Sequence, residues 1–159
     1  MRLIPRIYRV AYTKSLEKMS NFARFLRPVS GKSKNEQVMY YVIKRMEIAG
    51  SHRLELSYKS KCENLHGHNW IVTVYCRART LNKDGMVIDY THVKNKIHGY
   101  LDHGNFNELL PFNPTAENIV RWIVDQIPEC YKATVQESEG NIAAYCEDDA
   151  NRDIDSMSL

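Results

Sequence analysis

The hydrophobic pattern becomes orderly at Tyr40 and stays so to the region of Tyr145. Tyr40 to Ile48 is rich in β-branched and aromatic residues, which predicts a strand. From Trp70 to Arg79 the chain alternates. Trp70, Val72, Val74, Cys76 and Ala78 fall on one face, and Thr73, Tyr75, Arg77 and Arg79 on the other, the period of a half-buried strand. Asn82-Lys83-Asp84-Gly85 has turn composition. Val93, Ile97, Tyr100 and Leu101 then recur at helical spacing. A second helix starts after Asn113-Pro114-Thr115, with Glu117 in the first turn and Ile119, Trp122, Ile123 and Ile127 as its stripe. The acid suits the positive end of the helix dipole, and Pro128 prevents continuation. Lys132 to Glu137 and Asn141 to Tyr145 predict two strands joined by Ser138-Glu139-Gly140. The order ββααββ predicts an α+β fold: an antiparallel four-stranded sheet with two helices on one face.

Residues 1–38 lack this order. They carry nine Lys or Arg against two acids, Glu17 and Glu36. One reading is a basic amphipathic helix over 7–26 with the composition of an organelle transit peptide. The other is upstream sequence without a role, with Met39 as the functional start. The expected organisation is a flexible or partly helical basic extension (1–38), a folded catalytic domain (39–147), and a polar, acidic, disordered tail (148–159).

Bulk properties narrow the class. A chain of 159 residues with 43% apolar content supports one domain with tails. No apolar run is long enough to span a membrane. The formal charge of +3 resides largely in the extension, leaving a near-neutral remainder that argues against a nucleic-acid binder. Cys62, Cys76, Cys130 and Cys146 show neither disulfide-framework nor paired zinc-site spacing. Free thiols in a reducing compartment, the cytoplasm, are the expectation.

The candidate chemistry lies in Cys62-Glu63-Asn64-Leu65-His66-Gly67-His68 and in His52. His66 and His68 are two apart at a strand entrance, so both imidazoles share a face. His52 ends the preceding strand, which antiparallel pairing brings alongside. Three neutral imidazoles with no fourth protein ligand form the pattern of an open catalytic zinc site. His-x-His is also common on strands without a metal, and spacing leaves both readings standing. His92 and His98 fall off the apolar stripe of the first predicted helix and receive no role. Cys62 sits in a polar loop near Lys59 and Lys61, where a thiolate is favoured and could act as a base; a plain buried thiol is the alternative. Asp102-His103 follows the first helix, either as a cap beside a surface histidine or as a proton carrier with its orienting carboxylate.

Six segments in register resemble the 6-pyruvoyltetrahydropterin synthase and 6-carboxytetrahydropterin synthase family. They are Ala49-Gly50-Ser51-His52; Cys-x-x-x-His-Gly-His at 62–68; Gly85-Met86-Val87-Ile88-Asp89; Leu101-Asp102-His103 with Asn107; Pro114-Thr115-Ala116-Glu117-Asn118; and Glu137 with Asn141 and Tyr145. The resemblance runs from about Met39 to Glu147 and implies the tunnelling (T-fold) architecture. It implies zinc on His52, His66 and His68, Cys62 as a base, and Asp102 and His103 completing a proton relay. It also implies that Glu137 accepts hydrogen bonds from the pterin ring. Thr115 is implied as a second pterin contact, and equally reads as the N-cap of the second helix. The family's sites form between subunits, which implies a homo-oligomer, usually a hexamer of two trimers.

The implied activity is zinc-dependent conversion of 7,8-dihydroneopterin triphosphate to 6-carboxytetrahydropterin, with release of acetaldehyde and triphosphate, a lyase step toward queuosine. The alternatives are triphosphate elimination to 6-pyruvoyltetrahydropterin, or a non-catalytic zinc- or pterin-binding homologue. Contact with nucleic acid is not expected. Two departures from the family stand out: the segment 1–38, and Gly104 and Phe106 after the Asp-His pair.

Overall fold

A computed structural model describes residues 39–147. The expectations for 1–38 and 148–159 fall outside the described residues. Strands β1 (Tyr40–His52) and β2 (His66–Ala78) form an uninterrupted antiparallel pair, Tyr40 opposite Ala78 and His52 opposite His66. Both extend further toward the histidines than the apolar pattern suggests, because Gly50, Ser51 and His66 to Asn69 pair through their backbones while carrying no apolar alternation. Strands β4 (Cys130–Ser138) and β5 (Asn141–Cys146) continue the sheet, antiparallel, with β4 against β2.

The sheet differs from expectation in one respect. It has five strands in the order β3-β1-β2-β4-β5. The added strand, β3 (Gly104–Asn105), runs parallel to β1 and pairs with Gly50 and Ser51. Two residues are too few to register as a periodic pattern, so the all-antiparallel four-stranded prediction is replaced by a mixed five-stranded sheet.

Helix α1 (Tyr90–Leu101) is capped by Asp89, whose side chain accepts from the Thr91 N–H, and buries Val93, Ile97 and Leu101. A single turn, α2 (Phe106–Leu109), is capped by Asn105. Helix α3 (Ala116–Asp125) starts at Thr115, whose side chain accepts from the Asn118 N–H. Among the described residues three α-helices thus stand where two were expected. The buried stripe of α3 is Ile119, Val120, Ile123 and Val124. Trp122 is only half-buried and stacks on Tyr100, with ring centroids 5.5 Å apart. Two residues of the predicted stripes therefore leave the core to cover each other. α1 packs on β1, and α3 on β4 and β5.

The even-numbered residues of β1 and β2 face these helices. Ile48, Trp70, Val72 and Val74 are almost fully buried there, with Ala133 and Val135 from β4. Each large aliphatic or aromatic side chain so buried contributes about 1.5–3 kcal/mol. The same face carries His52, His66 and His68 at the end of the sheet. No helix among the described residues is long and apolar enough to cross a membrane.

Candidate metal and proton-relay site

The register of β1 and β2 builds the histidine cluster. His52 lies directly opposite His66, and Gly50 opposite His68. Because alternate side chains share a face, the three imidazoles converge. Their ring centroids are 4.6 Å (His52–His66), 4.9 Å (His66–His68) and 5.2 Å (His52–His68) apart. One nitrogen from each lies within 4.8 Å of the others, an arrangement that can hold a metal ion.

The surroundings prepare two of the rings as ligands. His52 Nδ1 stands 2.8 Å from the Pro114 carbonyl, and His66 Nδ1 2.8 Å from the Asn64 carbonyl. A carbonyl only accepts, so Nδ1 of each ring carries the proton and donates it, leaving a lone pair on Nε2 of the neutral ring. His52 is fully buried. Burial holds its pKa below the ordinary value against the opposing pull of the Pro114 hydrogen bond, and the neighbouring His66 lowers it further. The neutral, ligand-competent ring is favoured. Nε2 of His52 and of His68 are buried without a hydrogen-bond partner. An orphaned buried polar atom costs about 1–3 kcal/mol, and a metal ion would satisfy both. The donor set therefore fits one.

Trp70 forms the floor, its ring edge-on to His52 at 4.9 Å and to His68 at 5.2 Å. Its indole N–H donates to the Gly50 carbonyl at 3.1 Å. Gly50 is required here: an added Cβ would lie nearer than 3.0 Å to the Phe106 ring. Phe106 is buried against Trp70. A Cβ at Gly104 would likewise meet Leu109. Of the residues that depart from the family pattern, Phe106 thus packs behind Trp70, and Gly104 leaves room for Leu109.

Beyond His52 the chain is clamped by two asparagines. Asn107 accepts from the Arg53 N–H at 2.8 Å and donates to the Arg53 carbonyl at 2.9 Å. Asn113 does the same for Glu55, at 3.0 and 2.8 Å. Their amides act as short strand partners that hold the exit of β1 in place. Thr115 caps α3 directly after Pro114, so its hydroxyl is engaged by the Asn118 N–H at 3.3 Å.

On β4, Gln136 pairs with Ile71, which turns the next residue, Glu137, to the histidine face. Its Oε1 lies 3.3 Å from His52 Nε2 and 3.8 Å from His68 Nε2. The structure therefore brings the predicted pterin anchor against the predicted metal ligands.

Asp102 is the C-cap of α1. One carboxylate oxygen accepts from the Ala49 N–H at 3.0 Å, and the other lies 2.9 Å from His103 Nδ1. Desolvation pushes the Asp102 carboxyl up, but the Ala49 N–H, His103 and His98 together outweigh it, and its pKa falls below the ordinary value. His103 has a left-handed backbone (φ 59°) and a side chain 82% exposed. It shares a cavity of about 390 Å³ with His68, Gly50, Asn69 and Gly104.

His98, given no role from the sequence, stands 3.6 Å from Asp102 Oδ2. The clue was its position four residues before Asp102, on the same side of the helix. Cys62 lies in a 3-10 turn, Lys61–Glu63, held by a Ser60–Glu63 capping box. Its own N–H donates to Ser60 Oγ at 3.2 Å. It is half-buried and is not among the residues lining the cavity of His68 and His103. Within one chain, then, the histidines and Glu137 form one cluster and Asp102-His103 a second beside it, while the Cys62 turn is tied to the chain just beyond His52 by the Leu54 N–H, which donates to the Cys62 carbonyl at 2.8 Å.

Residues 41–148 match the model of the family described as 6-pyruvoyl tetrahydropterin synthase. A putative 6-carboxy-5,6,7,8-tetrahydropterin synthase of Pyrococcus horikoshii is 44% identical over 70 residues, 41% of this chain and 43% of that protein. The 6-carboxy-5,6,7,8-tetrahydropterin synthase of Bacillus subtilis is 24% identical over 119 residues, 64% of this chain and 82% of that protein. A dihydroneopterin monophosphate aldolase of Pyrococcus furiosus is 33% identical over 89 residues, covering 54% and 73%. In fold, the chain is similar to the 6-pyruvoyl tetrahydropterin synthase of Caenorhabditis elegans, with a TM-score of 0.58 at 23% identity, covering 70% of this chain and 98% of the other. The chain belongs to the 6-pyruvoyl tetrahydropterin synthase family.

Proposed function

We propose that this protein converts 7,8-dihydroneopterin triphosphate to 6-carboxytetrahydropterin, releasing acetaldehyde and triphosphate, with zinc as its metal. The observation that carries the reading is the convergence of His52, His66 and His68 beside Glu137 on one sheet face, in a chain whose relatives include 6-carboxytetrahydropterin synthases. An all-imidazole donor set suits zinc. When bound, the ion supplies positive charge that acidifies the hydroxyls of the substrate side chain.

The chain's own residues divide the remaining work. Glu137 accepts N–H bonds from the pterin ring. Cys62 removes a proton from the side chain. His103, oriented by Asp102 through Nδ1, returns a proton from Nε2. Thr115 Oγ1, while capping α3, is a second contact for the ring. The reading includes a homo-oligomer, a hexamer of two trimers, in which the Asp-His pair meets Cys62 across an interface. It places the protein in the cytoplasm, on the route to queuosine, without direct contact to nucleic acid.

The test is incubation of the zinc-loaded protein with 7,8-dihydroneopterin triphosphate and identification of the product by mass. Formation of 6-carboxytetrahydropterin and acetaldehyde is expected. The family model and the fold likeness to the nematode protein favour 6-pyruvoyltetrahydropterin as the second reading, and that product would replace the first. Binding without turnover would leave only a pterin-binding homologue. If Cys62→Ala retains zinc and normal turnover, the assigned base is wrong.

A further inference from the structure

Glu137 stands closer to the histidines than anchoring a pterin ring requires. Its Oε1 is 3.3 Å from His52 Nε2 and 3.8 Å from His68 Nε2. His52 Nδ1 donates to the Pro114 carbonyl, so Nε2 is the ring atom left to face the carboxylate. A ring nitrogen and a carboxylate oxygen 3.3 Å apart are held together by a positive centre between them. A tetrahedral site with bonds of 2.0–2.1 Å has ligand-to-ligand edges of about 3.3 Å. The His52–Glu137 separation matches such an edge, and the His68–Glu137 separation is slightly longer.

We propose that Glu137 is a fourth, exchangeable ligand of the ion held by His52, His66 and His68 when substrate is absent. The inference rests on the metal reading above and deepens it. The side chain is 26% exposed, so the carboxylate has room to rotate. A carboxylate binds a cation until a ligand offers it N–H donors, and the pterin ring offers them. Arrival of the ring then draws Glu137 off the ion and opens the coordination position that the substrate hydroxyls take. One carboxylate would couple recognition of the ring to readiness of the metal.

Cobalt(II) provides the test, since its visible spectrum reports coordination number and donor type. Wild type, Glu137→Ala and Glu137→Gln are loaded with one cobalt per chain, and folding is verified by circular dichroism. The two variants should share a spectrum distinct from wild type, and their zinc affinity against a chromogenic chelator should fall below that of wild type. Addition of unsubstituted pterin, which lacks a side chain to reach the ion, should move the wild-type spectrum toward that of Glu137→Ala and leave the variant unchanged. Identical spectra and zinc affinities in wild type and both variants would overturn the proposal while leaving the three-histidine site intact. If wild type itself takes up no cobalt or zinc, the metal reading fails and this inference fails with it.

Discussion

His103 offers a way to separate what the backbone needs from what the chemistry needs. It follows the C-cap of α1 with φ at 59°, a place usually filled by glycine, because a Cβ in the left-handed region crowds the carbonyl. A non-glycine residue pays about 1 kcal/mol there. The turn is held all the same, by the His103 N–H donating to the Ala49 carbonyl at 2.6 Å and by β3 directly after it. The informative pair is His103→Gly and His103→Ala. Both remove the imidazole and its contact with Asp102, so that loss cancels in the comparison. Only alanine retains the Cβ. The glycine variant should be the more stable by about 1 kcal/mol, a difference of about 4 °C in melting temperature. Both should lose turnover by about 100-fold or more if the imidazole carries a proton. Thermal or urea unfolding of the metal-loaded proteins reads the first quantity, and the rate of substrate consumption the second. Equal stability of the two variants would refute the backbone argument. Normal turnover in either would remove His103 from the relay.

Gly50→Ala should cost about 1–3 kcal/mol through overpacking against Phe106, with part recovered in the double variant with Phe106→Leu; urea unfolding of the set checks it, and additive costs would show that the two positions do not collide. Thr115→Ala should lose about 1 kcal/mol as a broken cap, while Thr115→Ser stays near wild type; chemical denaturation distinguishes them, and equal losses would show that the hydroxyl is not the capping group. The pKa of Asp102 is depressed in the folded protein below its ordinary 3.8. Its stabilising contribution is thus complete above that value and is lost as pH falls through the folded-state value. Asp102→Asn should therefore show a shallower decline in stability than wild type below about pH 4, and parallel acid limbs in the two unfolding profiles would refute the shift.

Much of the scaffold was legible along the chain, because backbone geometry imposes its own period. The alternation from Trp70 marked a strand, Asn113-Pro114-Thr115 marked a helix start, and two-residue spacing placed His66 and His68 on one face. The same period, combined with antiparallel pairing, was enough to bring His52 alongside that pair, and the register of β1 and β2 set it opposite His66. Other features carry no local pattern. β3 has only two residues, and Trp122 left the predicted stripe because Tyr100, on another helix, offers it a stacking partner. The Pro114 carbonyl that sets the His52 proton lies 62 residues away, and a backbone carbonyl has no residue identity by which to be recognised. Glu137 was singled out, yet its approach to two imidazoles depends on how β4 registers against β2. Sequence alone determined which faces and which side chains were available for chemistry, since those follow from the local period of the backbone. The packing of distant segments decided which of them meet, because only tertiary structure brings together a histidine, a carbonyl and a carboxylate from three separate elements.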